Sequence, residues 1–269
     1  MSAFVNHFSF EFRTGVRNKQ LLLMNYLLPL GFYLMMAFVM PQINPSFLES
    51  MIPAMVTFAI LVATLLGLPD PLVSAREAGI FRSYKINGVP STSIVIIPAL
   101  TTLLHLVIVT VIITVSAPLL FHAPLPVNWA KFALTCIAMA FACAGISVLI
   151  GVISSSTRVT VLWSQLIFLP SMLLGGLMIP YSMLPDVVGR VSQVLPATQA
   201  MNAFNGLAMG NVADFDPWGS IMVLFASGAL AFVLAIYLFS WDSHNATRRG
   251  HPLLALLALL PYVVGMILP

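Results

Sequence analysis

Six long apolar runs divide this chain, and they constrain its fold more than any other feature. Each run approaches or exceeds the length of about 20 mostly apolar residues that a helix needs to cross a membrane. Only 7% of the 269 residues are charged, whereas soluble domains carry about 25%. The runs are continuous, unlike the alternating strands of a membrane β-barrel. The sequence therefore predicts an all-α, polytopic membrane bundle with spans at 21–40, 51–69, 94–120, 132–153, 159–179 and 218–240.

The basic residues predict how these spans are oriented, because Lys and Arg accumulate in cytoplasmic loops. Only Lys131 and Arg190 fall on one side of the predicted bundle. The N-terminus is therefore expected in the cytoplasm, and the net charge of +3 is explained by topology. Nucleic-acid binding, which needs a concentrated basic face, is not expected. The other nine basic residues share the opposite side: Arg13, Arg17, Lys19, Arg76, Arg82, Lys85, Arg158, Arg248 and Arg249.

Two further apolar segments flank the six spans. Residues 2–19 place one apolar residue every fourth position, which predicts an amphipathic helix in the membrane interface. That helix is either a plain topology anchor or a surface for a cytoplasmic partner. At the other end, a hydrophobic extension at 246–269 contains the apolar run 252–268, which is either a seventh span or a half-inserted tail. The apolar stripe of the first segment consists of Phe4, Phe8, Phe12 and Val16.

The loop at 70–93 is the most informative connection. Pro69 and Pro71 predict the end of span 2, because proline interrupts helical hydrogen bonding. The run from Arg76 to Lys85 predicts one short helix with both charge signs and an aromatic side. Asn87-Gly88 predicts its end, and a hydroxyl at 91–93 is expected to cap span 3. Such a helix suits docking in a protein cleft, and the alternative is a solvated basic loop.

The loop at 180–217 is far longer than the other connections, and long ordered loops are usually functional. Apolar residues recur at helical spacing on both sides of Pro196. This pattern predicts two short helices that re-enter the outer leaflet, which is tolerated only where protein buries the backbone. An external cap without a role in transport is the alternative.

Span 4 is rich in small residues at four-residue spacing, which permits close helix packing. The pairs Ala138–Ala142 and Ala140–Ala144 predict contact either within the bundle or between subunits. Cys136 and Cys143 lie about 10 Å apart along this helix, too far for a disulfide, and are interpreted as packing residues.

The spans carry almost no ionisable groups. His105 alone titrates near neutral pH inside them, and intramembrane charges usually mark ion pathways. We therefore expect no ion-coupled carrier, and interpret His105 as a satisfied buried histidine. Asn25 and Gln165 either line a polar path or hydrogen-bond between helices, and we expect the second role. No GxxxxGK[ST], HExxH or GxSxG motif occurs, so the chain is not expected to be an enzyme or to bind a cofactor, and energy for uphill transport must come from another polypeptide.

Four features resemble the ABC-2 type permease family. They are the amphipathic segment before span 1, the Arg76-Glu77-x-Gly79 stretch running to Pro90, the proline-spaced segment after span 5 that ends at Gly210, and the aromatic end at 239–242. The resemblance covers about residues 3–245, and residues 1–245 are taken as the transmembrane domain.

The resemblance implies a six-span half-channel in a bacterial plasma membrane. It would pair with a second copy or a paralogue and with cytoplasmic ATPase subunits, which would carry the ATP and Mg. Its activity class would be export of hydrophobic or amphiphilic drugs, lipids or lipid-linked compounds. Residues 181–210 would lie near the exit gate, with Pro180, Pro185, Pro196 and Thr198 as its residues. The coupling helix would be 76–87, with contacts from Arg76, Glu77, Gly79, Phe81, Arg82, Tyr84 and Lys85.

Two other functions stay open from the residues alone. An ATP-independent secondary transporter or channel would move its substrate in liposomes without ATP. A membrane scaffold would support no flux. The scarcity of charge argues against the first, and the long 180–217 loop argues against the second.

Overall fold

The computed structural model of the protein describes residues 18–241 and 250–267, and it contains no strand within those ranges. Within the described residues, six helices are long and apolar enough to cross a membrane, which confirms the predicted all-α bundle. Residues 2–17 of the predicted interfacial helix lie outside the described residues. Spans 1 to 6 lie within Lys19–Ile43, Phe47–Glu77, Ser91–Phe121, Trp129–Ile153, Thr157–Leu174 and Pro217–Leu238, and the second of these stretches also includes a separate short helix at Pro69–Glu77.

Span 2 forms the centre of the bundle. Its apolar window is 94% buried, whereas those of spans 1 and 5 are 28% and 22% buried and lie at the periphery. Phe58 of span 2 stacks on Phe32 of span 1 with ring centroids 4.0 Å apart, and it also contacts Phe168 of span 5. Because span 2 is surrounded by the other spans, the segments that extend from its two ends are attached to the core of the bundle.

The predicted end of span 2 at Pro69 is confirmed, because the helix breaks at 67–68. The sequence did not predict that a new helix begins there. A π-helical turn at Val62–Leu66 and a break at 67–68 are followed by a new helix, Pro69–Glu77, with proline in its first turn. Proline is tolerated there because the first N–H groups of a helix have no intrahelical partner. The two prolines therefore start a helix that projects from the bundle.

The small residues of span 4 pack within the bundle, against span 6. A Cβ atom added at Gly145 would lie 2.8 Å from the carbonyl oxygen of Gly228, and one added at Gly228 would lie 2.5 Å from Phe141. These contacts assign the small-residue face to a contact within the chain. Cys143 is buried, Cys136 is partly buried and both thiols are free, which confirms their packing role.

The C-terminal segment runs antiparallel to span 6. Ser227 Oγ donates to the carbonyl of Ala258 over 2.8 Å, and Gly265 lies against Val223. The segment combines a 3₁₀ helix at Pro252–Leu259 with an α-helix at Leu260–Ile267. With rises of about 2.0 and 1.5 Å per residue, the two reach about 28 Å. That length falls short of the hydrocarbon thickness of about 30 Å, and Pro252–Ile267 is shorter than each of the six spans.

Candidate functional site

A helical hairpin at 69–90 projects from one end of the bundle, which we call the hairpin end. Its helices, Pro69–Glu77 and Ile80–Ile86, join at Gly79, whose φ of +73° is the left-handed conformation that glycine adopts readily. The prediction of one continuous helix from Arg76 to Lys85 is therefore wrong at this turn. The predicted stop is confirmed, because the second helix ends before Asn87-Gly88. No side-chain cap forms at 91–93, since span 3 begins after Pro90 without one.

Arg76 fastens the hairpin to the end of span 4. Its side chain is buried, and its Nη1 atom donates to the carbonyl of Val152 over 2.7 Å while Nη2 donates to the carbonyl of Ser154. The last carbonyls of a helix lack intrahelical partners, and a cation is favoured at this negative end of the helix dipole. The geometry thus makes Arg76 a structural clamp, facing inward and away from any docking partner.

Phe81 and Tyr84 also turn inward. Phe81 is 4% exposed, and its ring lies 6.4 Å from that of Tyr84 and 5.6 Å from that of Phe239 just beyond span 6. Phe239 in turn meets Trp241 edge-on. The hairpin's second helix therefore packs against the aromatic residues that follow span 6.

The opposite face of the hairpin is exposed. Glu77, Arg82 and Lys85 lie on it together with Ile80 and Ile86, the last of which is 86% exposed. This face therefore carries charges of both signs and a large exposed apolar side chain. Of the seven residues singled out in the sequence, three charged ones form this surface, two anchor the hairpin from within, Tyr84 lies partly buried between, and Gly79 forms the turn.

A cavity of about 660 Å³ lies between the hairpin, the start of span 1 and span 3. We call it the hairpin-end cavity. Its wall is mostly apolar, and its buried polar side chains are Asn25, Thr101, Thr102 and His105. Nδ1 of His105 hydrogen-bonds the Tyr26 hydroxyl at 2.7 Å, which confirms the interpretation of His105 as a satisfied buried histidine.

Asn25 behaves differently from the expectation. Its side chain is 4% exposed, yet Oδ1 accepts no hydrogen bond, so the predicted helix–helix bond through this atom is absent. A π-helical turn at Leu23–Leu27 turns Asn25 inward while Leu27 stays 67% exposed on the outer face. Such π-helical turns often occur at functional sites, and sequence reasoning had no signal for this one.

At the far end of the bundle, the segment after span 5 divides into two unlike helices. Every residue of Pro196–Ala203 is buried, including Pro196 and Thr198 of the predicted gate, and this helix is inserted among spans 2, 4, 5 and 6. The earlier helix, Asp186–Ser192, stays at the surface with Val187 75% exposed. The break at Pro196 is confirmed, but only the second helix is inserted. Pro180 and Pro185 lie exposed at the surface.

Asn202 holds the inserted helix, and sequence reasoning missed it. Its Oδ1 accepts from the backbone N–H groups of Asp214 and Phe215 at 2.9 and 3.2 Å, and its Nδ2 donates to Ser220 Oγ at 3.0 Å. One buried amide thus joins the inserted helix, the following loop and span 6. The cue in the sequence is an Asn that lies shortly before a loop containing Asp214 and Asp216.

Among the described residues, six helices long enough to cross a membrane, a hairpin after span 2 and an inserted helix after span 5 define a multi-pass membrane protein. A family model described as ABC-2 type transporter matches residues 4–209, about three quarters of the chain. The chain therefore belongs to the ABC-2 type transporter family, as the resemblance implied. No curated protein and no solved structure gives a significant match.

Proposed function

We propose that the chain is the membrane-spanning subunit of an ATP-driven exporter in a bacterial plasma membrane. The hairpin end and the N-terminus would face the cytoplasm, and a separate ATPase subunit would bind ATP and Mg. One observation carries the proposal: the hairpin is anchored by buried Arg76 and Phe81, while Glu77, Lys85 and Ile86 remain exposed for a partner.

The anchors explain how force on the hairpin would reach the spans. Its first helix continues from span 2, Arg76 binds the end of span 4, and Phe81 packs on Phe239 after span 6. A partner that displaces the exposed face would thus move the ends of three spans together. A second copy or a paralogue would supply the other half of the transport path.

The cargo we propose is hydrophobic or amphiphilic. The hairpin-end cavity is walled mainly by apolar side chains, and no Asp, Glu, Lys or Arg occurs among the described residues that line it. An ion or a free sugar would lose its hydration there without replacement, whereas an apolar molecule would not.

The docking surface is tested by Lys85→Glu and Ile86→Asp. We expect both variants to lose co-purification with the partner ATPase and ATP-dependent efflux, while the permease still folds, because both side chains are exposed. Arg190→Glu and Val187→Asp are matched controls, since they make the same changes on an exposed helix at the far end. Hairpin variants that bind the ATPase as well as the controls do would overturn the proposal.

The orientation is tested by labelling in intact cells. Cysteines are introduced at exposed Ser83 in the hairpin and exposed Ser182 at the far end, in a background where Cys136 and Cys143 are alanine. An impermeant maleimide is expected to label position 182 and to spare position 83 until the membrane is permeabilised. Labelling of position 83 in intact cells would refute a cytoplasmic hairpin, and flux in liposomes without ATP would favour a secondary transporter or channel.

A further inference from the structure

A second cavity at the hairpin end has charged residues in its wall. It encloses about 430 Å³ between the start of span 1, the end of span 2 and the first turns of span 5, a volume within the range of about 300–1,000 Å³ typical of ligand sites. We call it the charged cavity, because Asp70 and Arg158 line it. The described lining of the hairpin-end cavity, in contrast, includes no charged residue. The two cavities are therefore suited to different ligands.

The two charges of this cavity are not neutralised by other residues in the described part of the chain. Arg158 is exposed, and it forms no hydrogen bond or ion pair there. Asp70 is partly buried, and its Oδ2 accepts a hydrogen bond from Gln20 Nε2 at 3.3 Å, but no described cation pairs with it. Because Arg158 and Asp70 form no ion pair with each other, more than 4.0 Å separates their charged atoms. One cavity wall thus offers a separate cation and anion.

The rest of the wall connects these charges to the apolar surface of the bundle. Leu65 and Leu66 of span 2 line the cavity together with Val161 of span 5, which is 53% exposed. Leu162 and Leu166 of span 5 are 70% and 62% exposed. Exposed apolar side chains on a spanning helix contact lipid tails. The charges lie at the ends of the spans, which is the level of the phospholipid headgroups.

We infer that the charged cavity binds the headgroup of a zwitterionic phospholipid with a primary ammonium group, such as phosphatidylethanolamine. Its phosphate pairs with Arg158, its ammonium group donates to Asp70, and an acyl chain follows the exposed apolar side of span 5. An anionic phospholipid would satisfy Arg158 alone and would bring its own negative charge close to Asp70. The inference goes beyond the proposed function, because it requires neither an ATPase nor a transported cargo.

The bound lipid would join two elements of the bundle. Asp70 lies in the first turn of the hairpin helix Pro69–Glu77, and Arg158 lies in the first turn of span 5. A headgroup held by both residues would therefore link the base of the hairpin to a peripheral span.

The test uses the purified full-length chain in detergent, without an ATPase. Native mass spectrometry measures the binding of dioleoyl phosphatidylethanolamine and dioleoyl phosphatidylglycerol, which share the phosphate and the acyl chains and differ in the ammonium group. We expect phosphatidylethanolamine to bind about fivefold more tightly, which is the upper range for an exposed ion pair. Glycerophosphoethanolamine, a soluble molecule with the same headgroup and no acyl chains, should compete poorly.

The two charges should have separable effects on lipid binding. Asp70→Asn should reduce the affinity for phosphatidylethanolamine to that for phosphatidylglycerol, without weakening phosphatidylglycerol. Arg158→Gln should weaken both lipids by about threefold to fivefold, because both carry the phosphate. Asp186→Asn and Arg190→Gln make the same changes on an exposed helix at the far end, so they are matched controls and should retain wild-type binding.

Equal binding of the two lipids by the wild-type chain would overturn the inference. A preference that survives Asp70→Asn, or lipid binding that Arg158→Gln leaves at the level of the controls, would also overturn it. Competition by glycerophosphoethanolamine as strong as that of the lipid would mean that the ligand is a soluble zwitterion and would refute a membrane lipid. Since no ATPase is present, these failures would leave the proposed coupling role of the hairpin intact.

Discussion

The hairpin at 69–90 and the segment at 180–217 are both pairs of short helices between spans, yet they are attached to the bundle in different ways. In the hairpin, each helix has one buried and one exposed face, and side chains such as Arg76 and Phe81 hold it. In the 180–217 segment, the division falls between the helices, so that Pro196–Ala203 is wholly buried and Asp186–Ser192 is largely exposed. A helix pair can thus be fixed by a few anchors or by insertion.

The two attachments have different consequences for motion. The hairpin's first helix packs on spans 4 and 5, where Leu72 lies against Gly151. Its second helix is held through buried Phe81 and keeps most of its other side chains exposed. The inserted helix fills space between spans, where interiors are packed too densely for a shift without rearranging the neighbours. We therefore expect the hairpin to receive force and the inserted helix to respond only when the spans move.

The attachment of the hairpin through one buried face depends most on Phe81. Phe81→Ala should lower the free energy of unfolding by about 3 kcal/mol, because it removes a buried ring from between Tyr84 and Phe239. Ile86→Ala, on the exposed face of the same helix, should change it by less than about 0.5 kcal/mol. Both are measured by denaturant unfolding in detergent. Equal losses from the two variants would mean that the hairpin is not held by one face.

Removing the buried cation Arg76 should lower the free energy of unfolding slightly less than removing Phe81. Arg76→Ala leaves the carbonyls of Val152 and Ser154 without their donor, and we expect a loss of about 2–3 kcal/mol. Arg76→Lys keeps the charge without the planar fork and should recover part of this loss. Lys85→Ala is the exposed control. An Arg76→Ala variant as stable as Lys85→Ala would contradict the clamp.

Insertion at the far end predicts sensitivity to added volume. Ala197 is fully buried and lies against Gly175, so Ala197→Leu should cost about 1–3 kcal/mol through overpacking. Val187→Leu, on the exposed helix of the same segment, should be nearly neutral. Thermal unfolding and efflux of the two variants are compared, and an Ala197→Leu variant with wild-type stability would show that the helix is not tightly inserted.

The smallest expected effect comes from Asp214, beside the inserted helix. Partial burial raises the pKa of its carboxyl above the usual range, so the folded state holds this proton more tightly than the unfolded state. Stability from this group is present at low pH and is lost as the pH rises through the window above about 4. The loss is small because the side chain remains partly in water. Asp214→Asn should flatten the dependence of the melting temperature on pH in that window, and an unchanged dependence would contradict this assignment.

In both regions, the sequence predicted helix boundaries better than it predicted which side chains are buried. Asn87-Gly88 and Pro196 mark helix boundaries correctly because they act on local backbone geometry. Pro69 marks the end of span 2 correctly for the same reason, but the sequence did not predict that it also starts the next helix. Arg76 and Phe81 were among the residues that indicated a docking helix, yet both are buried anchors. Amphipathic spacing shows that a helix has two faces, but it does not show which face packs against the bundle.

The sequence by itself determined that this protein is a membrane helical bundle, where its spans lie and which connections are unusual, because hydropathy, proline and glycine act locally along the chain. Only the tertiary structure decided that Arg76 binds the end of span 4, that Asn25 Oδ1 is buried without a hydrogen-bond partner, and that the C-terminal segment lies along span 6. These are pairings between residues far apart in the chain, and they depend on how the spans pack against one another.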